Sequence, residues 1–211
     1  MGMRLVLKAL GNRTIMVLPA CCGSIIVGPF PYMALGIPLI HMAFEATAAA
    51  ASGIRAALEV LGKEDVQVLG WAGDGATFDI GIQSLSGAAD RNDDILYVCL
   101  DNEAYMNTGV QRSSATPPGA WTATTPAKHL NERPKKNMVQ IMVAHKVPYV
   151  ATATIAYPED LIDKVQRAAG IRGTKFFHLL APCPPGWHYD PRYSVKISRL
   201  AVETGVFPLF E

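Results

Sequence analysis

The sequence carries little charge and almost no excess of either sign. Only 18% of its 211 residues are charged, and 19 basic against 18 acidic residues leave a formal net charge of +1. A basic footprint that would neutralise phosphates is absent, so neither nucleic acid nor an acidic membrane surface is implied as a partner. No apolar run reaches the roughly 18 residues of a membrane span. Four cysteines, Cys21, Cys22, Cys99 and Cys183, are not spaced as a secreted disulfide framework, and a chain of this length needs none. A reducing cytoplasm is the simpler expectation. One mimic of a lipoprotein signal exists, in Arg4, Lys8, the apolar residues 15–18 and Ala20-Cys21. Gly11-Asn12-Arg13 breaks that stretch, which is too short for a signal core, and the residues after Cys21 stay apolar where a lipoprotein tether turns polar.

What is present is apolar bulk. Half of the chain is hydrophobic and the mean hydropathy is +0.18. Two readings fit: a large buried core, or a surface that other subunits partly cover. The length suits one α/β domain over residues 1–211.

Residues 3–10 predict the end of a helix stopped by Gly11-Asn12, and residues 14–18 a short strand. Residues 21–38 are rich in Gly and Pro and predict a loop; residues 43–61 predict a helix of small residues closed by Gly62. Residues 66–72 and 95–100 are continuous apolar runs of strand length, as expected for strands buried on both faces. A helix over 78–89 separates them. Residues 103–137 show no period, and a structureless stretch that long in a compact domain is usually functional. Beyond it, helices over 138–146, from Pro158 and over 194–204 alternate with strands over 149–155 and 175–181. The alternation predicts an α/β, doubly wound, mainly parallel sheet.

Ligands of such sheets bind beyond the carboxyl ends of the strands. Two of those ends are chemically distinctive. Gly73-Asp74-Gly75 closes one strand, where glycines let a backbone approach a ligand and the helix starting near Ala76-Thr77 offers free N–H groups to a phosphate. Asp101-Asn102-Glu103 closes the next. Mg²⁺ that accompanies a diphosphate takes one or two protein oxygens with phosphate, carbonyl and water. Asp74 offers a carboxylate, Asn102 an amide oxygen and Ala104 a carbonyl. Alone, Gly-Asp-Gly is a common turn and Asp-Asn an ordinary cap. The two in this order, one strand–helix–strand unit apart, point to a diphosphate–Mg²⁺ site.

The run Gly73-Asp74-Gly75-Ala76-Thr77-Phe78-Asp79-Ile80-Gly81 resembles the thiamine-diphosphate motif of pyruvate:ferredoxin oxidoreductase (pyruvate synthase) beta subunits. So does the run from Asp101 through Asn107-Thr108-Gly109 to Ser113, which continues into Ala115-Thr116-Pro117 and Gly119-Ala120-Trp121. His41 to Glu45 and Leu180 to Trp187 match further segments, so the resemblance spans almost the whole chain. The Asp101 to Ser113 run is the specific part.

The resemblance implies a thiamine-diphosphate-binding fold in which Asp74, Asn102 and the Ala104 carbonyl hold Mg²⁺. Gly73, Asp74, Gly75 and Ala76, with Asn102, Glu103, Ala104, Tyr105, Met106 and Asn107, would line the diphosphate and thiazolium end. Asn107 would reach the reacting carbon; on the residues alone it is equally a turn residue of an Asn-Thr-Gly corner. The implied activity is oxidative decarboxylation of a small 2-oxoacid, pyruvate in the first instance, to an acyl-CoA with electrons passed to ferredoxin, or the reverse. The implied partners are an alpha subunit that binds the pyrimidine half of the cofactor and ferredoxin-like gamma subunits. In related split enzymes the glutamate that activates the aminopyrimidine comes from the alpha subunit, so Glu45 is expected in packing or at a subunit contact.

The family also carries a [4Fe–4S] cluster, which normally needs four thiolates. Cys22 matches the third ligand and Cys183 the fourth, while the N-terminal Cys-x-x-Cys pair has no counterpart and Met1 stands where its second cysteine would be. A buried strand cysteine such as Cys99 is usually an inert small hydrophobe. The expectations are a chain short of the family's N-terminal cysteine segment and C-terminal extension, a partner that supplies the missing ligands, or a cluster that is lost. The last would make the chain a non-catalytic assembly subunit. A non-oxidative thiamine enzyme is a third possibility, against which the Cys183 turn argues.

Overall fold

A computed structural model describes residues 1–211. The chain forms one six-stranded sheet, and every strand pair in it is parallel. The strands are β1 (Thr14–Pro19), β2 (Leu39–Met42), β3 (Gln67–Gly73), β4 (Leu96–Asp101), β5 (Tyr149–Thr154) and β6 (Lys175–Leu180). Their spatial order is β2-β1-β3-β4-β6-β5. The helices are α1 (Gly2–Leu10), α2 (Cys22–Val27), α3 (Thr47–Val60), α4 (Ile82–Asp90), α5 (Met138–Ala144), α6 (Pro158–Ala169), α7 (Pro184–Trp187) and α8 (Ser194–Glu203).

Both sheet faces are buried, and the period of two assigns each strand residue to one of them. Val17, Val68, Ala72, Tyr97 and Phe176 point to a layer with Ala48, Ala51 and Leu58 of α3, Leu85 and Ala88 of α4, and Met138 and Met142 of α5. Met16, Leu18, Leu69, Trp71, Val98 and Phe177 point to the opposite layer, with Val6 of α1 and Leu161, Val165 and Ala168 of α6. The doubly wound parallel fold expected from the alternation is what forms. Gly70 shows how tight the first layer is: a methyl there would lie 2.9 Å from the Tyr97 ring and 3.3 Å from the Thr47 methyl. The small residues of α3 permit that approach. No helix is long and apolar enough to cross a membrane.

Three local expectations need correction. Residues 21–38 are not all loop, because α2 forms inside them. Its start is closed reciprocally by Cys21 and Ser24, with Cys21 N–H donating to Ser24 Oγ at 3.3 Å, and Gly28 ends it at φ +79°. The predicted helix over 43–61 gives up its first turn, since β2 and a turn precede α3. Its C-terminus does close on Gly62 (φ +64°), with Lys63 N–H donating to Leu58 O at 2.8 Å and Gly62 N–H to Glu59 O at 3.0 Å. The helix predicted over 78–89 begins earlier, as a wide π-helical turn over Gly75–Ile80 that leads into α4. Gly81 N–H closes it on Ala76 O at 2.9 Å, and a Cβ on Gly81 would fall on that same carbonyl oxygen, so only glycine fits. Such π turns sit mostly at functional sites.

All strands run the same way, so all their carboxyl ends lie along one edge. β1 connects onward to β2 on one side, β3 to β4 on the other. The chain thus reverses its winding between β1 and β3, and the crevice beyond those two ends is where an open sheet offers a binding site.

Candidate cofactor site

A cleft opens at that crevice. It is lined by the β1 end and the start of α2 (Cys21, Cys22), by Gly73, Asp74, Gly75 and Ala76, and by Asn102, Ala104, Tyr105, Met106 and Asn107 beyond β4. Its volume is about 230 Å³. Pockets that enclose a drug-sized ligand run to roughly 300–1,000 Å³, so this cleft encloses part of such a molecule. Its rim carries Ile25, 72% exposed, and the neighbouring Ile26 is 71% exposed. Phe30 and Tyr32, 89% and 85% exposed, follow on the next loop. Exposed apolar side chains in such density mark an interaction surface.

At the floor of the cleft, Asp74 and Asn102 are buried and turned towards each other. The inward terminal atom of the Asn102 amide lies 3.1 Å from Asp74 Oδ1 and 2.8 Å from the Ala104 carbonyl oxygen. With the amide oxygen inward, three acceptors converge with no donor among them. With the nitrogen inward, Asn102 donates to both and the group is satisfied without a cation. Adjacent oxygens around a six-coordinate Mg²⁺, bound at 2.0–2.1 Å, stand about 3 Å apart. One carboxylate, one amide oxygen and one carbonyl at these separations are a donor set that Mg²⁺ accepts when phosphate and water complete it. The structure brings Asp74, Asn102 and the Ala104 carbonyl together at the floor of the cleft.

Asp74 has no cationic partner in contact. Burial first, and then the charge of nearby Asp101, push its carboxyl well above the usual carboxylate range, although Ser113 Oγ donates a short hydrogen bond to Asp74 Oδ2. A carboxylate so placed favours a proton or a metal ion. Ser113 is itself fixed by Ala115 N–H, which donates to its Oγ at 3.1 Å.

Tyr105 stands over Gly75, its hydroxyl donating to Asp79 Oδ2 at 2.8 Å and its ring 6.0 Å from Phe44. Met106 packs on Gly186, where a Cβ would come within 2.8 Å of both its sulfur and its terminal methyl. Asn107 opens to the cleft beside it.

Two of the expected residues do not line this cleft. Glu103 adopts φ +70°, which turns its side chain away. Its carboxylate accepts from Lys135 Nζ at 2.9 Å. Cys183 stands at the N-terminus of α7 and is not among the residues lining the cleft. It remains within electrostatic reach of Cys22, whose thiol pKa is raised by burial first and then by Cys21 and Cys183. All four cysteines are free thiols.

Behind the cleft lies an ionic cluster that sequence reasoning missed. Asp101, fully buried, accepts from Lys135 Nζ at 2.5 Å and is joined to His178 Nε2 at 2.7 Å. Burial pushes its carboxyl up, but Lys135 and His178 outweigh that and hold it at about 2. The same carboxylates raise the Lys135 ammonium against the opposite pull of its burial.

The segment 103–137 is held by side chains, not by regular ladders. Asn131, 3% exposed, donates to the carbonyls of Thr116, Pro117 and Arg133 and accepts from Arg112 Nε at 2.9 Å and Arg133 N–H at 3.2 Å. Asn131→Ala would strand these groups, and an unsatisfied buried polar group costs about 1–3 kcal/mol. The expected result is a loss of about 2–3 kcal/mol, read as a lower midpoint in urea unfolding, with weaker cofactor binding.

The fold and this cleft define a diphosphate-binding α/β domain, and comparison with known proteins agrees. Residues 27–179 match the family described as thiamine pyrophosphate enzyme, C-terminal TPP binding domain. The ketoisovalerate oxidoreductase subunit VorB of Pyrococcus abyssi is 54% identical, across 100% of this chain and 70% of that one. The pyruvate synthase subunit PorB of Methanothermobacter marburgensis is 53% identical, across 100% of this chain and 74% of that one. Among solved structures, the 2-oxoglutarate:ferredoxin oxidoreductase of Magnetococcus marinus, determined with 2-oxoglutarate, coenzyme A and succinyl-CoA bound, superposes with a TM-score of 0.77. It is 24% identical and the match covers 94% of this chain and 64% of that one, so this likeness speaks for the fold. The chain belongs to the family of beta subunits of 2-oxoacid:ferredoxin oxidoreductases.

Proposed function

We propose that this chain binds the diphosphate end of thiamine diphosphate with Mg²⁺. With partner subunits it would oxidatively decarboxylate a small 2-oxoacid, pyruvate in the first instance, to an acyl-CoA, passing electrons to ferredoxin, or run the reverse. The observation that carries this reading is the convergence of Asp74 Oδ1, the Asn102 amide and the Ala104 carbonyl at the strand ends. The names of the relatives support the substrate class.

Asp74, Asn102 and the Ala104 carbonyl would hold Mg²⁺, and the N–H groups at the start of the Gly75–Ile80 turn would face the diphosphate. Tyr105 and Met106 would wall the thiazolium end. The Asn107 amide would donate to an oxygen of the substrate and hold it against the reacting carbon. Bound thiamine diphosphate supplies the difficult chemistry, a sink for the electron pair released when the carboxylate departs. The exposed apolar residues Ile25, Ile26, Phe30 and Tyr32 would seat the alpha subunit, which brings the other half of the site. Cys22 and Cys183 would supply two of the four thiolates of a [4Fe–4S] cluster, a group that would carry electrons towards the gamma subunit and ferredoxin.

The test is reconstitution with the partner subunits and titration with thiamine diphosphate and Mg²⁺. Reduction of ferredoxin or a viologen that depends on both 2-oxoacid and CoA is then measured. Failure to bind the cofactor would overturn the reading, and decarboxylation without acceptor reduction would leave only its non-oxidative half. Cys22 and Cys183 are two of the four thiolates a cluster normally takes, which motivates a second reading, an assembly subunit that passes no electrons. About four irons, with matching acid-labile sulfide, at this subunit's site would exclude it.

A further inference from the structure

We propose that Lys135 and Lys136 are positioning residues that clasp the two halves of the cofactor motif at a fixed separation. The proposal rests on the site being a thiamine-diphosphate–Mg²⁺ site, as argued above. The segment 103–137 leaves one half of the motif at β4 and returns to it just before α5. At that return stand two adjacent lysines, and each reaches a different half.

Lys135 serves the β4 half. Its ammonium bonds Asp101 Oδ2 at 2.5 Å and Glu103 Oε1 at 2.9 Å, so it grips the residues on either side of Asn102. Asp101 Oδ1 in turn accepts from Glu103 N–H at 2.8 Å. Thr116 Oγ1 donates to the Glu103 carbonyl at 2.5 Å. Together these contacts hold Glu103 at φ +70°, a conformation that costs a non-glycine residue about 1–2 kcal/mol. That turn sends the Glu103 side chain to Lys135 while the next carbonyl, that of Ala104, faces the Asn102 amide.

Lys136 serves the β3 half. Its ammonium donates a short hydrogen bond to the Phe78 carbonyl and lies 3.8 Å from Asp79 Oδ1, both within the turn that begins at Gly75. Asp79 Oδ2 accepts from Tyr105 O–H at 2.8 Å and Ser114 N–H at 3.1 Å. Lys136 therefore ties that turn to the segment that carries Tyr105 and Ser113. One dipeptide, anchored by the start of α5, holds both halves of the motif.

A purely stabilising role is the plainer account. Removing one partner of a buried ion pair typically costs about 3–5 kcal/mol, so a lower melting temperature alone does not separate the two roles, whereas removing groups that orient metal ligands typically costs 10–100-fold in metal affinity. The experiment uses the reconstituted complex with Lys135→Met, Lys136→Met and the double variant. Mn²⁺ replaces Mg²⁺ so that bound metal is read by electron paramagnetic resonance. Thiamine diphosphate affinity, the melting temperature and kcat at saturating cofactor are also measured.

The expected result is a loss of roughly 10-fold or more in Mn²⁺ and thiamine diphosphate affinity for each single variant. Melting should stay cooperative, and kcat at saturation should stay within about twofold of wild type, since no reacting group is touched. Wild-type affinities in both single variants would overturn the proposal. So would a fall in kcat at saturation with affinities unchanged. Should a lysine variant fail to fold, Glu103→Gln removes one charge of the clasp at constant size. It is expected to weaken Mn²⁺ binding several-fold, and unchanged binding would overturn the proposal. A wild-type complex that binds neither metal nor cofactor would sink the functional reading itself; wild-type binding that the variants share sinks only the clasp.

Discussion

Asp74→Ala is expected to lower the affinity of the assembled enzyme for Mg²⁺ and thiamine diphosphate by at least about 100-fold, which is about 2.8 kcal/mol. Asp74 is the one carboxylate of the converging oxygen trio, and an amide and a carbonyl alone offer a divalent ion no charge. The effect on folding should be small. Burial and the nearby Asp101 charge already disfavour the Asp74 carboxylate, so the cofactor-free chain loses little when it is removed. The Ser113 hydroxyl and, with its nitrogen inward, one N–H of the Asn102 amide lose their acceptor. A thermal melt separates the two effects. The cofactor-free Asp74→Ala protein should melt within a few degrees of wild type, a change of about 1 kcal/mol or less. The rise in melting temperature that Mg²⁺ and thiamine diphosphate give the wild type should vanish. A variant that keeps this rise would overturn the metal assignment. Asp74→Asn, which keeps size but not charge, should fall between the two.

The sequence made this part of the site legible because both motif halves follow strands buried on both faces. Residues 68–73 and 96–100 are apolar without interruption, so their ends, and the polar residues just past them, could be located. β2 was not legible for the opposite reason. It is an edge strand whose Ile40 and His41 are exposed, and Pro38 and His41 break the apolar pattern that would mark it. α2 hid in a glycine- and proline-rich stretch because its cap is a cysteine, a residue outside the usual N-cap set.

The supporting shell escaped for a more general reason. A lysine or histidine in sequence carries no sign that it will be buried, since burial depends on partners far along the chain. Lys135 meets Asp101 across 34 residues, and His178 meets it across 77. Asn131 reads as a loop asparagine, yet it is the point from which the long segment is held together. Glu103 shows the converse error. It sits inside a motif that resembles a cofactor-binding run, and its left-handed backbone turns it from the cleft to the ion cluster. Motif membership placed Glu103 among the candidates, but the side-chain direction depended on a φ angle that sequence does not declare.

Gly75→Ala is the second change with a large expected effect, and its cause is steric. A methyl on Gly75 would lie within 2.8 Å of three carbons of the Tyr105 ring. The ring cannot simply step aside, because its hydroxyl is bonded to Asp79 at 2.8 Å and Phe44 stands against it. Either the Gly75 backbone moves, displacing the N–H groups proposed to face the diphosphate, or Tyr105 swings into the cleft. Overpacking of this kind costs about 1–3 kcal/mol of stability. Both routes disturb the same site, so cofactor affinity should fall by at least about 10-fold, or 1.4 kcal/mol. Tyr105→Ala supplies the control. It deletes the obstructing ring, so in its presence the added methyl of Gly75→Ala should cost far less than it does alone. Residues in contact of this sort couple by about 0.5–3 kcal/mol in a double-mutant cycle. The measurement is urea unfolding and thiamine diphosphate titration of the two single variants and the double variant. A cycle that closes additively would mean that Tyr105 is not what keeps Gly75 a glycine. A large coupling would identify the glycine of this motif as room for a tyrosine held in place by Asp79.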